Sequence, residues 1–168
     1  MTGKPNAFRD PAEVMLRHIG YFHLLLVEDS PSDARLIESF VGEVPGCRLY
    51  VARDAQEAMD FLYRRGSYAS APIPHVIILD WNLPGKGGDK VLECIKGDVG
   101  LHSIPVVVLS SSSADASVLQ AYDLRANCWV VKSTELSDQS RRIRTLIDFW
   151  AHTAQLPRTP PGSEPDGR

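Results

Sequence analysis

The sequence predicts an α/β fold: a doubly wound parallel sheet of five strands with five helices. Three observations carry this. Short apolar runs alternate five times with stretches of helical period. The runs are continuously apolar, as strands buried on both faces require. Helices between successive strands imply parallel, right-handed crossovers.

The first strand is Leu24 to Val27. Ser30 then reads as an N-cap, with Pro31 at the first helical position and Asp33 in the first turn, and this helix runs to about Val41, before Pro45-Gly46. Arg48 to Ala52 is the second strand. Asp54 and Glu57 form a capping-box pattern. The helix they open carries Ala55, Ala58, Met59 and Leu62 on one face and is expected to end at Gly66. A loop with two prolines leads to the strand Val76 to Leu79. A helix over Gly88 to Lys96, the strand Val106 to Leu109, a helix over Ala116 to Leu124 and the strand Trp129 to Val131 follow. A long last helix is expected from Ser137 to Gln155. Residues 1–20 read as an N-terminal extension, with a helical turn or two around Ala12 to Ile19, and 21–156 as the domain. Residues 157–168, with four prolines and two glycines, read as a disordered tail.

Composition narrows the function. A chain of 168 residues, 43% hydrophobic and 23% charged, suits one globular domain with tails. A net charge of -3 without a basic run gives no electrostatic reason to expect nucleic acid. No apolar run is long enough to span a membrane, and no apolar leader precedes Tyr21. Three scattered cysteines without C-x-x-C spacing argue against disulfides and zinc and suit a reducing cytoplasm. The five histidines form no H-x-x-x-H pair.

In a doubly wound sheet of order 2-1-3-4-5, the flavodoxin-like order, ligands bind beyond the carboxyl ends of the strands. The ends carry Glu28-Asp29, Asp80, Ser110 and Lys132. Each has a bland reading. Asp29 can be a cap, Ser110 can open a loop, and Lys132 alone is unremarkable. Asp80 is harder to dismiss, because it ends an apolar strand and caps no adjacent helix. Together the groups place three carboxylates, a hydroxyl and an amine around one crevice. Clustered carboxylates repel unless a cation neutralises them, and a hard divalent ion such as Mg2+ suits oxygen ligands. Asp80 would then attack phosphorus, with Lys132 and the metal offsetting charge and Ser110 donating a hydrogen bond.

Asp80-Trp81-Asn82-Leu83-Pro84, with Gly88 eight positions after the aspartate, resembles the phosphorylation loop of two-component response regulators. Leu26 to Ser30 resembles their acidic metal-binding pair, Pro105 to Ser110 their fourth strand with its switch hydroxyl, and Trp129 to Lys132 their aromatic switch residue and lysine. The resemblance covers Tyr21 to Gln155. It implies Asp80 as phosphoacceptor. Asp29 would ligate Mg2+ directly, Glu28 through water, and Asn82 through its backbone carbonyl. Ser110 and Lys132 would bind phosphoryl oxygens, with Ser110 and Trp129 moving on phosphorylation. Two positions depart from the pattern: Glu28 replaces the commoner aspartate, and Ser133 stands where many receivers have a proline, often after a cis bond.

The Tyr63 to Ala69 loop, Lys132-Ser133 and the Phe149-Trp150 end of the last helix are similar to stand-alone regulators that partner phytochrome-type histidine kinases. This implies a sensor kinase as partner and action by protein contact or phosphorelay, with no room for an output domain after residue 156. A homodimer is also expected. Ile143, Leu146, Ile147 and Trp150 form the core stripe of the last helix, while Phe149 and Leu156 fall on another flank as interface candidates. Other readings fit less well. An aspartate-nucleophile phosphatase of haloacid-dehalogenase type needs a second acid two positions on, where this chain has Asn82. A degenerate receiver acting only as a binding module would not need the full set of site residues. A flavin domain would need a phosphate-cradling loop.

Overall fold

The structure, a computed structural model, describes residues 21–85 and 87–157. The expected N-terminal extension, its helical turns, and the tail beyond Pro157 lie outside the described residues. Five parallel strands, β1 (Phe22–Val27), β2 (Cys47–Ala52), β3 (Val76–Asp80), β4 (Val106–Ser110) and β5 (Cys128–Val131), lie in the order β2-β1-β3-β4-β5. The helices between and after them are α1 (Pro31–Val41), α2 (Ala55–Leu62), α3 (Gly87–Gly97), α4 (Asp115–Asp123) and α5 (Leu136–Asp148).

The period-two geometry of the strands divides the core between the two sheet faces. Leu25, Val27, Ile77, Leu79, Val106 and Val108 pack with Phe61 of α2, Leu92 and Ile95 of α3 and Ala121 of α4. Leu24, Leu26, Val76, Ile78, Val107 and Leu109 pack with Ile37 and Phe40 of α1 and Ile143 and Ile147 of α5. Both faces are therefore dry, which is why the strands are continuously apolar.

Local signals act where the sequence places them, with corrections at one cap partner and two helix ends. Ser30 Oγ accepts from the Asp33 N–H at 3.3 Å, capping α1. Asp54 Oδ1 accepts from the Glu57 N–H at 2.8 Å, but Glu57 reaches back to the Arg53 N–H, at 2.7 Å, one residue before the cap. The helix α2 ends at Leu62 and not at Gly66, because Arg64 takes a left-handed φ of 54° and the Arg65 N–H closes on the Asp60 carbonyl at 2.8 Å. The last helix does not run unbroken to Gln155. It widens into a π-type turn over Phe149–Thr153, and the chain becomes extended at Ala154.

Candidate functional site

Strand register brings the expected groups to one end of the sheet. Val27 pairs with Leu79, Asp80 with Leu109, and Ser110 with Val131. The residues at or just after these pairs, Glu28, Asp29, Asp80, Ser110 and Lys132, therefore surround the carboxyl ends of β1, β3, β4 and β5.

Lys132 is the centre of the crevice. Its Nζ donates to Glu28 Oε2 at 2.7 Å, to Asp33 Oδ2 at 2.9 Å and to Asp80 Oδ2 at 2.9 Å. An ammonium has three N–H donors, and these three carboxylates use them all. Two of the partners are buried, with Glu28 1% and Asp80 5% exposed, while the Asp33 side chain is 42% exposed. Burial pushes the Glu28 carboxyl up to about 7. The Lys132 ammonium opposes that rise, and the Asp80 charge adds to it. Burial works against the Lys132 charge as well, but hydrogen bonds to Glu28, Asp33 and Asp80 outweigh it and hold the ammonium above the ordinary lysine range.

Glu28 is held at both oxygens, since Oε1 accepts from the Ser30 N–H at 3.1 Å. Its longer side chain thus reaches the lysine. Asp29 is exposed at the mouth of the crevice. One carboxylate oxygen each from Glu28, Asp29 and Asp80 lie within 4.8 Å of one another, a set of hard oxygen donors that fits a hard divalent cation.

The remaining contacts fix the nucleophile candidate and its neighbours. Asp80 Oδ1 accepts from the Asn82 N–H at 2.9 Å. The buried Ser110 Oγ accepts from the Ser112 N–H at 3.1 Å and sits 3.4 Å from Asn82 Nδ2. Gly88 lies against this backbone: a Cβ there would come 2.5 Å from the Asp80 carbonyl oxygen and 2.7 Å from Trp81 Cα. Its N–H donates to the Trp81 carbonyl at 3.0 Å. Trp129 on β5 packs edge-on against Trp81, and its indole Nε1 is buried without a hydrogen-bond partner.

Beyond the lysine, the Ser133 N–H donates to Gln139 Oε1 at 2.7 Å, a bond proline cannot make. No peptide among the described residues is cis.

Sequence reasoning treated Asp33 only as a first-turn acid and missed its part in the crevice. The available signal was its place four residues after Asp29. Cα–Cβ bonds tilt toward a helix N-terminus, so an acid in the first turn of α1 leans back over the end of β1. The two interface candidates separate. Phe149 is exposed and stacks edge-on with Trp150 at 5.2 Å. Leu156 does not belong with it, because the extended chain after Ala154 folds Leu156 back against the core of the α1–α5 face.

Known proteins resemble this chain in sequence and in fold. The family model described as the response regulator receiver domain matches residues 24–144. The response regulator Rcp1 of Synechocystis sp. is 40% identical over 135 residues, covering 80% of this chain and 92% of Rcp1. Among solved structures, the phosphorylated cyanobacterial phytochrome response regulator RcpA superposes with a TM-score of 0.79 at 40% identity, over 82% of this chain and 99% of RcpA. The Mn2+-bound form of Rcp1 superposes with a TM-score of 0.76 at 39% identity, over 81% of this chain and 99% of that one.

Proposed function

The chain belongs to the response regulator receiver domain family, and on that premise we propose that it accepts a phosphoryl group on Asp80 from a histidine kinase. It then signals by protein contact or by passing the group on. The observation that carries this reading is the placement of Asp80: a buried carboxylate at a strand end, within reach of Lys132 and of two further carboxylates.

The chemistry follows from the residues. The Asn82 N–H and the Lys132 ammonium orient the Asp80 carboxylate. A carboxylate oxygen of Asp80 forms a bond to phosphorus as the bond from phosphorus to the kinase's histidine nitrogen breaks, and the imidazole leaves with the electron pair. Lys132 offsets charge on the equatorial oxygens, and the Ser110 hydroxyl donates to one of them. Glu28, Asp29, Asp80 and the Asn82 carbonyl would hold Mg2+, which when bound supplies positive charge beside the transferring group.

Similarity to RcpA and Rcp1 supports a phytochrome-type kinase as donor, met in the cytoplasm. Exposed Phe149 supports a homodimer through α4, β5 and α5, beside the Trp129 switch.

The test is intact-mass spectrometry after incubation with acetyl phosphate and Mg2+. Wild type should gain one phosphoryl group and Asp80→Asn none. Phosphate on the Asn variant would overturn the assignment. An unmodified wild type would favour a receiver that acts only as a binding module.

A further inference from the structure

Resting on the reading of Asp80 as phosphoacceptor, we infer that Asp33 is a positioning residue that holds Lys132 until the phosphoryl group arrives, and so restrains phosphorylation. In the unphosphorylated site, Lys132 has no free N–H. Its three donors go to Glu28, Asp33 and Asp80, at 2.7, 2.9 and 2.9 Å. A phosphoryl oxygen therefore meets the ammonium only by exchange with one of these carboxylates.

The three partners differ in what their release leaves behind. Glu28 has a side chain with no solvent exposure, and Asp80 one with 7%, so water cannot take the place of the lysine at either carboxylate. The Asp33 side chain is 42% exposed, and water can take over its hydrogen bond at once. Asp33 is thus the exchangeable partner. It also stands on a separate element, the first turn of α1, so its departure disturbs neither β1 nor β3.

Two effects of Asp33 act in the same direction. It occupies the donor that a phosphoryl oxygen needs, and its negative charge repels an anionic phosphodonor. Neutralising it should loosen its hold on one N–H of Lys132, because an amide oxygen accepts more weakly than a carboxylate, and should lower that repulsion. The cap of α1 survives such a change, because Ser30 Oγ accepts from the backbone N–H of Asp33 and not from its side chain.

The test uses acetyl phosphate with saturating Mg2+. In this reaction an Asp80 oxygen bonds to phosphorus, the bond from phosphorus to the acetyl oxygen breaks, and acetate leaves with the electron pair. Initial rates are measured for wild type, Asp33→Asn and Asp33→Glu, with thermal unfolding of each. The size of an ion pair of this exposure sets the expected gain for Asp33→Asn at about two- to fivefold in rate per unit phosphodonor. Asp33→Glu, which keeps the charge, should return to the wild-type rate. The Lys132 side-chain 15N resonance should move in the Asn variant and stay near wild type in the Glu variant. An equal or slower Asn variant, an unmoved Lys132 resonance, or a Glu variant as fast as Asn overturns the inference and leaves the assignment of Asp80 standing. A wild type that takes no phosphoryl group overturns both.

Discussion

Trp81 and Trp129 meet edge to face, with ring centroids 5.2 Å apart and planes at 64°. Trp81 follows the candidate phosphoacceptor Asp80 directly, and Trp129 lies three residues before Lys132. The loop after β3 and strand β5 therefore share an aromatic contact on the side of the sheet that carries α3 and α4. Pairs of this geometry contribute about 0.5–1.5 kcal/mol beyond the area they bury. A double-mutant cycle of Trp81→Leu and Trp129→Leu, read by urea denaturation, should give a coupling energy of about 1 kcal/mol. Strict additivity would mean that the rings are merely adjacent.

Gly88→Ala should damage the site and the fold together. The added methyl group would lie 2.5 Å from the Asp80 carbonyl oxygen and 2.9 Å from the Trp81 carbonyl oxygen, both backbone atoms that cannot swing aside. Overpacking of this kind costs about 1–3 kcal/mol. The expected outcome is a lower unfolding midpoint and slower acetyl-phosphate labelling of Asp80. Retention of both would show that the start of α3 can shift away from β3 without loss.

Acid should weaken the fold at the opposite end of the sheet. The His23 and His75 rings stack at 5.5 Å, the His23 N–H donates to His75 Nδ1 at 2.9 Å, and the Tyr50 hydroxyl lies 3.2 Å from His23 Nδ1. Burial, followed by the nearby His75 and Arg48 charges, lowers His23 to about 4, and burial lowers His75 as well. A base whose folded pKa is depressed takes up its proton more readily when unfolded. Its stabilising contribution is therefore full above the unfolded value of about 6.5 and is lost as pH falls toward the folded value. Solvent reaches part of the His23 ring, so the loss attributable to it is on the order of 1–2 kcal/mol, less than the whole shift implies. Urea midpoints at pH 7.5 and pH 4.5 should differ less in His23→Phe than in wild type. An identical pH dependence would remove His23 as the cause.

Phe149 and Leu156 should behave differently when each is replaced by aspartate. Phe149 is exposed, so Phe149→Asp should leave the unfolding midpoint near wild type and shift sedimentation from dimer to monomer. Leu156 packs on its own core, so Leu156→Asp should lower stability by about 1–2 kcal/mol. A wild type that sediments as a monomer at tens of micromolar, with and without phosphodonor, would rule out the dimer.

Strand ends were legible because burial writes them directly into the chain. Asp80 and Lys132 each follow an apolar run, and Ser110 ends one, so their shared location followed once the strand order was known. The N-caps Ser30 and Asp54 were equally local. What stayed hidden depends on how elements sit against each other. The approach of Asp33 to Lys132 depends on the rotation of α1 over β1, which the position of Asp33 in the first turn hints at but does not fix. The end of the last helix was overestimated because its apolar period continues to Trp150, whereas the regular α-helix stops at Asp148 and the chain turns back at Ala154. Tyr63 to Gly66 looked like an ordinary glycine stop, but Arg64 adopts a left-handed φ two residues before Gly66 does.

Ser133 gives its backbone hydrogen to Gln139, which is buried in the first turns of α5. One residue and one hydrogen bond therefore separate the Lys132 backbone from the helix whose far end carries Phe149. A proline at this position would have no hydrogen to give, and only the Arg142 guanidinium, which donates to the Val131 carbonyl at 3.0 Å, would then tie the strand end to α5. With serine it leaves as a tether. Rotation of the peptide between 132 and 133 would break this bond unless Gln139 moved with it, so the lysine backbone and the start of α5 share one constraint.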